Sequence, residues 1–299
     1  MYEHFERRTV VLRRMAVASL VTLVAVAAAG TAARATQGND TAGTALPVEQ
    51  AAALLERADG YRAEGLEEGV FTFRVTRHQR SGSGELLPPQ GPSDVAVIRV
   101  FFRSAAAGSQ GSEAGQAGQL VIFDEPAGLR GQTFLVVGSN TWMYRPGLRT
   151  PLRISAQQRV FGDAGVGEAA GILFSGDYTV TEAREETLDG SPSWRLDLEA
   201  RSRSAPYRRA TVWIDRQQGR YRRAILYSVS GVPLKQLEYE QWGEVSGRKA
   251  LVRMAVRDLL QEDQGTVTLI ETVAIRARTI PPRYFRPDFL SSAALLLGE

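Results

Sequence analysis

Residues 194–215, WRLDLEARSRSAPYRRATVWID, decide the fold. Trp194, Leu196, Leu198 and Ala200 alternate with Arg195, Asp197, Glu199 and Arg201. Further on, Ala210, Val212 and Ile214 lie opposite Thr211, Trp213 and Asp215. A period of two with one apolar and one charged face is the signature of antiparallel strands with one wet surface. The same alternation occurs at Phe71, Phe73 and Val75 against Thr72, Arg74 and Thr76.

Working outward, strand candidates follow at 94–103, 119–125, 133–137, 140–145, 150–155, 177–186, 221–229, 234–243, 249–259 and 266–278, with turns at Gln217-Gln218-Gly219 and Ser246-Gly247. About a dozen strands with short turns predict a mainly β (α+β) chain, built as one large curved antiparallel sheet or a barrel closed or nearly so. One helix stands out, from Pro47 to about Arg62, with proline in the first turn and Ala51, Leu54, Leu55 and Ala58 as its apolar stripe. Residues 104–118 (SAAAGSQGSEAGQAG) are a low-complexity loop between two strands. Residues 156–175 hold four glycines and cannot alternate as a strand, so they are expected to form a loose helix or a mobile lid. At 281–290, PPRYFRPDFL predicts an extended piece and a short helix lying against the sheet.

The chain opens with Arg7, Arg8, Arg13 and Arg14, then the apolar run MAVASLVTLVAVAAA at 15–29. That run is short for a bilayer span and suits a signal peptide. Ala33-Arg34-Ala35 supplies an A-x-A cleavage site before Thr36. Either a general secretory or a twin-arginine signal accounts for the arginines. The expected divisions are a signal peptide at 1–35, a flexible lead-in at 36–46, one domain at 47–290 and a tail at 291–299. Removing residues 1–35 takes away five arginines and two glutamates and leaves a formally neutral chain. The net charge of +3 therefore gives no support to nucleic-acid binding, and the expected compartment is the periplasm.

Composition also excludes chemistry. There is no cysteine, and the two histidines are His4 and His78, so thiolate sites, a three-histidine zinc site and a Ser/His/Asp triad are ruled out or nearly so. Gly162, Gly165 and Gly167 have the wrong spacing for a dinucleotide loop. Asp124/Glu125 and Glu185/Glu186 are adjacent on strands and point to opposite faces, so neither pair converges on one substrate. No enzyme, cofactor or metal is indicated. The remaining asset is apolar surface on a curved sheet, which needs a helix, a second sheet or an apolar ligand to cover it.

Four stretches resemble the bacterial outer-membrane lipoprotein-sorting (LolA-like) family: TWMYRPGLRTPLRISAQQRVFG at 141–162, FSGDYTVTEA at 174–183, IPPRYFRPDFL at 280–290, and the run of strands from Thr211 to Val256 that opens with TVWID. The resemblance implies a half-open, strongly curved β-barrel with a helical lid over an apolar cavity, binding acyl chains without covalent catalysis. It implies carriage of a lipoprotein or lipid between the inner and outer membranes. An inner-membrane transporter and an outer-membrane acceptor would be partners, and the carrier is expected to be a monomer. A sensor module of the same fold, binding lipoprotein and a protein partner, is the alternative. Under this reading Phe71, Phe73, Trp142, Tyr144, Ile154, Trp194, Leu196, Leu198, Val212 and Ile214 line the cavity. Arg145, Arg149 and Arg153 meet a headgroup at its mouth, and residues 161–171 open it.

Overall fold

The computed structural model describes residues 44–62, 65–104, 117–202, 205–260 and 265–298. The expected signal peptide, with its cleavage site at Ala33 and Ala35, lies outside the described residues, as do most of the 104–118 loop and residues 36–43. No described helix is long and apolar enough to cross a membrane.

The chain enters through α1 (Val48–Gly60) and then builds strands. One arm comprises β1 (Glu68–Gln79), β2 (Val95–Arg103), β3 (Gly118–Glu125), β4 (Thr133–Val137), β5 (Asn140–Tyr144) and β6 (Leu152–Ile154). A second arm comprises β9 (Tyr178–Leu188), β10 (Ser191–Ala200), β11 (Arg209–Asp215), β12 (Tyr221–Tyr227), β13 (Pro233–Val245), β14 (Arg248–Asp258) and β15 (Thr266–Ala277). Between the arms lie a small hairpin, β7 (Arg159–Phe161) and β8 (Ala164–Gly165), and the helices α2 (Val166–Ala170) and α3 (Phe174–Asp177).

Among the described residues the two arms form one thirteen-stranded antiparallel sheet, in the order β6-β5-β4-β3-β2-β1-β15-β14-β13-β12-β11-β10-β9. Neighbours are consecutive in the chain except at β1–β15, which joins the arms from Gly69↔Ala277 to Gln79↔Thr266. Register breaks at Thr72/Phe73, Asp197/Leu198 and Trp213/Ile214 are the bulges that bend such a sheet. The sheet curves but does not close, since its outermost strands β6 and β9 do not pair with each other. Residues 155–177 run from one of these outer strands to the other.

The inner face is one continuous core. Phe71, Phe73 and Val75 meet Ile98, Val100, Val121, Phe123 and Phe134 on the first arm and Leu196, Leu198, Val212, Ile214 and Leu226 on the second. The apolar stripe of α1 closes part of it, with Ala51, Leu55 and Ala58 almost wholly buried. Ala164, Val166, Ala169, Ala170 and Phe174 close the rest. The expected loose lid is thus a buried plug made of a hairpin and two short helices. Glycine-rich sequence hid these elements because each is too short to show a period.

Outward residues differ between the arms. On the first arm Val70, Phe101, Leu120, Ile122, Leu135 and Val137 form a second core with Ile280, Tyr284, Phe285, Leu290, Ala293 and Leu296. All of these last residues but Ile280 lie in 3-10 turns at Pro282–Phe285 and Pro287–Gly298. Residues 291–296 therefore belong to the packed domain and are not a tail. Leu290, Ala293 and Leu296 recur every third position, the period of a 3-10 helix. On the second arm the outer face is ionic: Arg195 pairs with Glu186 and Asp197, and Arg223 pairs with Glu238 and Asp189. The end of the expected flexible lead-in is also pinned, because Leu46 N donates to Ala183 O (2.9 Å) and Glu185 N to Thr44 O (3.0 Å) along the β9 edge.

Candidate ligand-binding cavity

A cavity of about 410 Å3 opens between the inner face of the first arm and the 155–177 plug. Its strand wall is Phe71, Phe102, Arg103, Gln119, Val136 and Thr141; its roof is Gly167, Ala170 to Leu173 and α3; the end of α1 contributes Asp59 and Arg62. Ser202, Ala205 and Pro206 stand at the rim. Small residues in the roof leave the space open. Alanine and glycine bring backbone close to the sheet without filling the gap, where larger side chains would have packed it solid.

Polar contacts join buried apolar side chains such as Val166 and Phe174 in holding the roof. Asp59 sits at 55 + 4 on the buried stripe of α1 and is itself buried. Its carboxylate accepts from Ser175 N (2.7 Å), Phe174 N (3.3 Å) and Tyr221 Oη (2.9 Å), so it ties α1 to α3 and to β12. Tyr221 is stacked on Tyr239 at 5.1 Å and tilted against Phe174 at 5.5 Å. Glu168, on α2, accepts from Gly165 N (2.6 Å) and Tyr207 Oη (2.8 Å). Asp163 N donates to Thr268 Oγ1 (2.6 Å), and Lys235 Nζ donates to Asp163 O (2.5 Å). Burial pushes the carboxyls of Asp59, Asp163 and Glu168 above the ordinary carboxylate range, against the pull of these hydrogen bonds.

Two further donors seize the end of α2. Arg62 Nη1 and Gln119 Nε2 both donate to Gly171 O, at 2.9 and 3.1 Å. Gly171 has φ +93°, and a side chain there would overlap the Arg62 guanidinium, so glycine is required on both counts.

Of the residues expected to line a cavity, only Phe71 does so. Phe73, Leu196, Leu198, Val212 and Ile214 are packed core, with Ile154 and Trp194 partly buried against it. Trp142 and Tyr144 face outward onto the C-terminal segment, while Met143 points in. The parity failed on β5 because both faces of the first arm are apolar, so alternation there carries no sign of inside and outside. Arg145, Arg149 and Arg153 are exposed and away from the cavity, and Arg153 bonds Asn140. The guanidinium group that does reach it, Arg62, was missed, as was Asp59; Arg103 borders the cavity at the end of β2, while its guanidinium pairs with Glu68 on the outer face beside Ile280. The readable signal for Asp59 was a lone carboxylate in register with Leu55. Asp124 and Glu185 form ion pairs with Arg99 and Arg216, and among the described residues no group of three metal-ligating side chains occurs.

Residues 115–292 match a family model described as "Uncharacterized protein". The crystal structure of a LolA superfamily protein from Nitrosomonas europaea is 26% identical, with a TM-score of 0.63 over 79% of this chain and 97% of that one. The chain belongs to the family of the model that matches residues 115–292, and its fold is LolA-like. The LolA-like fold recurs at 19% identity in a DUF1329 family protein from Desulfovibrio piger, with a TM-score of 0.61 over 82% of this chain and 99% of that one. It recurs at 18% identity in a domain from Vibrio parahaemolyticus named as an outer membrane lipoprotein-sorting protein (TM-score 0.61, 81% and 99% covered). No curated protein matches the sequence. The large antiparallel sheet that does not close, with helices beside it, is the LolA-like fold that the sequence resemblance implied.

Proposed function

We propose that the chain is a periplasmic carrier that takes an acyl chain of a lipid or lipoprotein into its cavity and moves it between the inner and outer membranes without catalysis. The observation that carries this reading is the cavity itself: about 410 Å3, walled by Phe71, Phe102 and Val136, under a roof held by hydrogen bonds. A similar fold in a protein named for lipoprotein sorting supports it. The energetics suit carriage. Burying a sixteen-carbon chain gains on the order of 10 kcal/mol gross, and a roof fixed by a few polar contacts opens at lower cost than a sealed core. Loading would come from an inner-membrane transporter and unloading from an outer-membrane acceptor.

Native mass spectrometry with lipid extraction tests the proposal on protein purified from the cell envelope. A stoichiometric acyl-bearing species is expected, and Val136→Glu should abolish it while the melting curve stays cooperative. An apo mass, with no uptake of added lipid or hydrophobic dye, would overturn the carrier.

A further inference from the structure

One row of side chains crosses the strand wall of the cavity: Phe102 on β2, Gln119 on β3, Val136 on β4 and Thr141 on β5, each opposite the next. Two of these four are polar. A polar side chain on an apolar inner face costs stability unless it is paired.

Thr141 points inward. It shares the parity of Met143 and stands opposite Ile154, and both of those pack against the inner core. It is 3% exposed, yet its hydroxyl makes no hydrogen bond among the described residues. Threonines elsewhere on the sheet are engaged: Thr268 Oγ1 accepts from Asp163 N (2.6 Å), and Thr211 Oγ1 donates to Asp197 (2.7 Å). Thr133 Oγ1 is unpaired but sealed from contact. Thr141 Oγ1 is not among the sealed atoms, and the surface it keeps lies on the cavity.

Gln119 is half satisfied. Its Nε2 donates to Gly171 O (3.1 Å), which fixes the amide, because an oxygen turned toward that carbonyl would be repelled. Its Oε1 therefore turns away from the roof and meets no donor among the described residues. The wall thus offers a hydroxyl on one side of Val136 and a group that can accept but not donate on the other. Their backbones stand two strand spacings apart, about 10 Å.

The charges around the cavity are engaged. Arg62 donates to the carbonyls of Ala170 and Gly171, and the Arg103 guanidinium pairs with Glu68 on the outer face. Asp59 and Asp177 border the same space. An ionised anionic head would enter beside two carboxyls and find every nearby cation already partnered.

We propose that the cavity holds an uncharged acyl derivative, an N-acyl amide or a monoacylglycerol, whose carbonyl accepts from Thr141 Oγ1 and whose N–H or O–H donates to Gln119 Oε1. The chain then runs along Phe71 and Phe102. This rests on the carrier reading and specifies the polar end of its cargo. A trans amide directs its N–H and C=O to opposite sides, as partners on either side of Val136 require. An ionised fatty acid and a simple alkyl ester both lack the donor that Gln119 needs.

The test uses the full-length chain, stripped of lipid, with N-phenyl-1-naphthylamine as a fluorescent probe that has no carbonyl. Competitors are lauroylethanolamide, monolauroylglycerol, methyl laurate and laurate. The amide or the glyceride is expected to displace the probe at about tenfold lower concentration than methyl laurate or laurate, because a site with an unmet acceptor rejects ligands without a donor. The better of the two assigns the linkage. Thr141→Val should weaken that competitor about fivefold while the probe binds as before, and Thr141→Ser should restore it. Methyl laurate or laurate competing as well as both overturns the inference, and so does unchanged competition in Thr141→Val. The first comparison is made in the unsubstituted protein and stands even where Thr141→Val fails to fold. A protein that takes up neither probe nor any chain overturns the carrier as well, whereas probe uptake without this preference overturns only the assignment of the polar end.

Discussion

The same sheet is covered on two faces, and the two covers close it by different means. On the outer face of β1–β5 the C-terminal segment brings aromatic bulk. Tyr284 stacks on Phe289 at 4.5 Å and meets Phe101 edge-on at 5.8 Å, and Leu290 and Ala293 are wholly buried. On the inner face the 155–177 plug brings mainly alanine and glycine, with Val166 and Phe174 its larger buried side chains, and is hung on Glu168, Asp59 and Arg62. An apolar seal gains stability with every square ångström removed from water. A roof on polar pins leaves free volume, and each pin contributes only about 0.5–1.5 kcal/mol net. The first arrangement suits permanence and the second suits a surface that must be reached by a ligand.

The largest effect that would sharpen this contrast is expected from Phe101→Ala in the outer seal. It should cost about 3–5 kcal/mol in denaturant unfolding and leave probe affinity unchanged; a loss of binding at unchanged stability would break the division of labour. Glu168→Ala strands Gly165 N and Tyr207 Oη and should cost about 1–3 kcal/mol, with faster release of bound probe in stopped flow. Arg62→Ala should speed release by about tenfold while the melting temperature moves little. Unchanged release in both plug variants would mean that the roof does not gate the cavity.

The plug also has a pH signature. Burial holds Glu168 above its ordinary value, so the folded form binds that proton more tightly than the unfolded chain. Stability should therefore fall as pH rises from about 4.3 to the raised value. A thermal-melt series with Glu168→Gln should lack this component; an identical pH profile would show that the carboxyl does not titrate in the fold. The smallest effect is expected at Arg184→Ala on the ionic outer face, below about 1 kcal/mol, because Arg184 pairs there with Glu182 and Asp197 in water.

How much of this was legible in the sequence follows the same contrast. The second arm announced itself, since Leu196 and Leu198 alternate with Arg195, Asp197 and Glu199 of the ionic outer face. On the first arm strand positions were legible and orientation was not: VAVIRVFFR at 95–103 is apolar on both faces, so Phe101 and Val100 look alike until the C-terminal cover is in place. The plug was illegible for a further reason. Its anchors are single polar atoms from α1, β3 and β11–β15 and their turns, and no local spacing reports a partner more than a hundred residues away, as Arg62 is from Gly171.

The pairing of β1 with β15 places the mechanical seam of the molecule at the centre of the sheet, and the two outermost strands fall in mid-chain. Residues 155–177 are thus a tether strung across the gap between those strands, fastened at Ile154 on one side and Tyr178 on the other. Aperture and tether share a coordinate: any force that spreads β6 from β9 pulls on the plug from both ends. A single cut within the tether would uncouple the two while leaving every pairing of the large sheet in place.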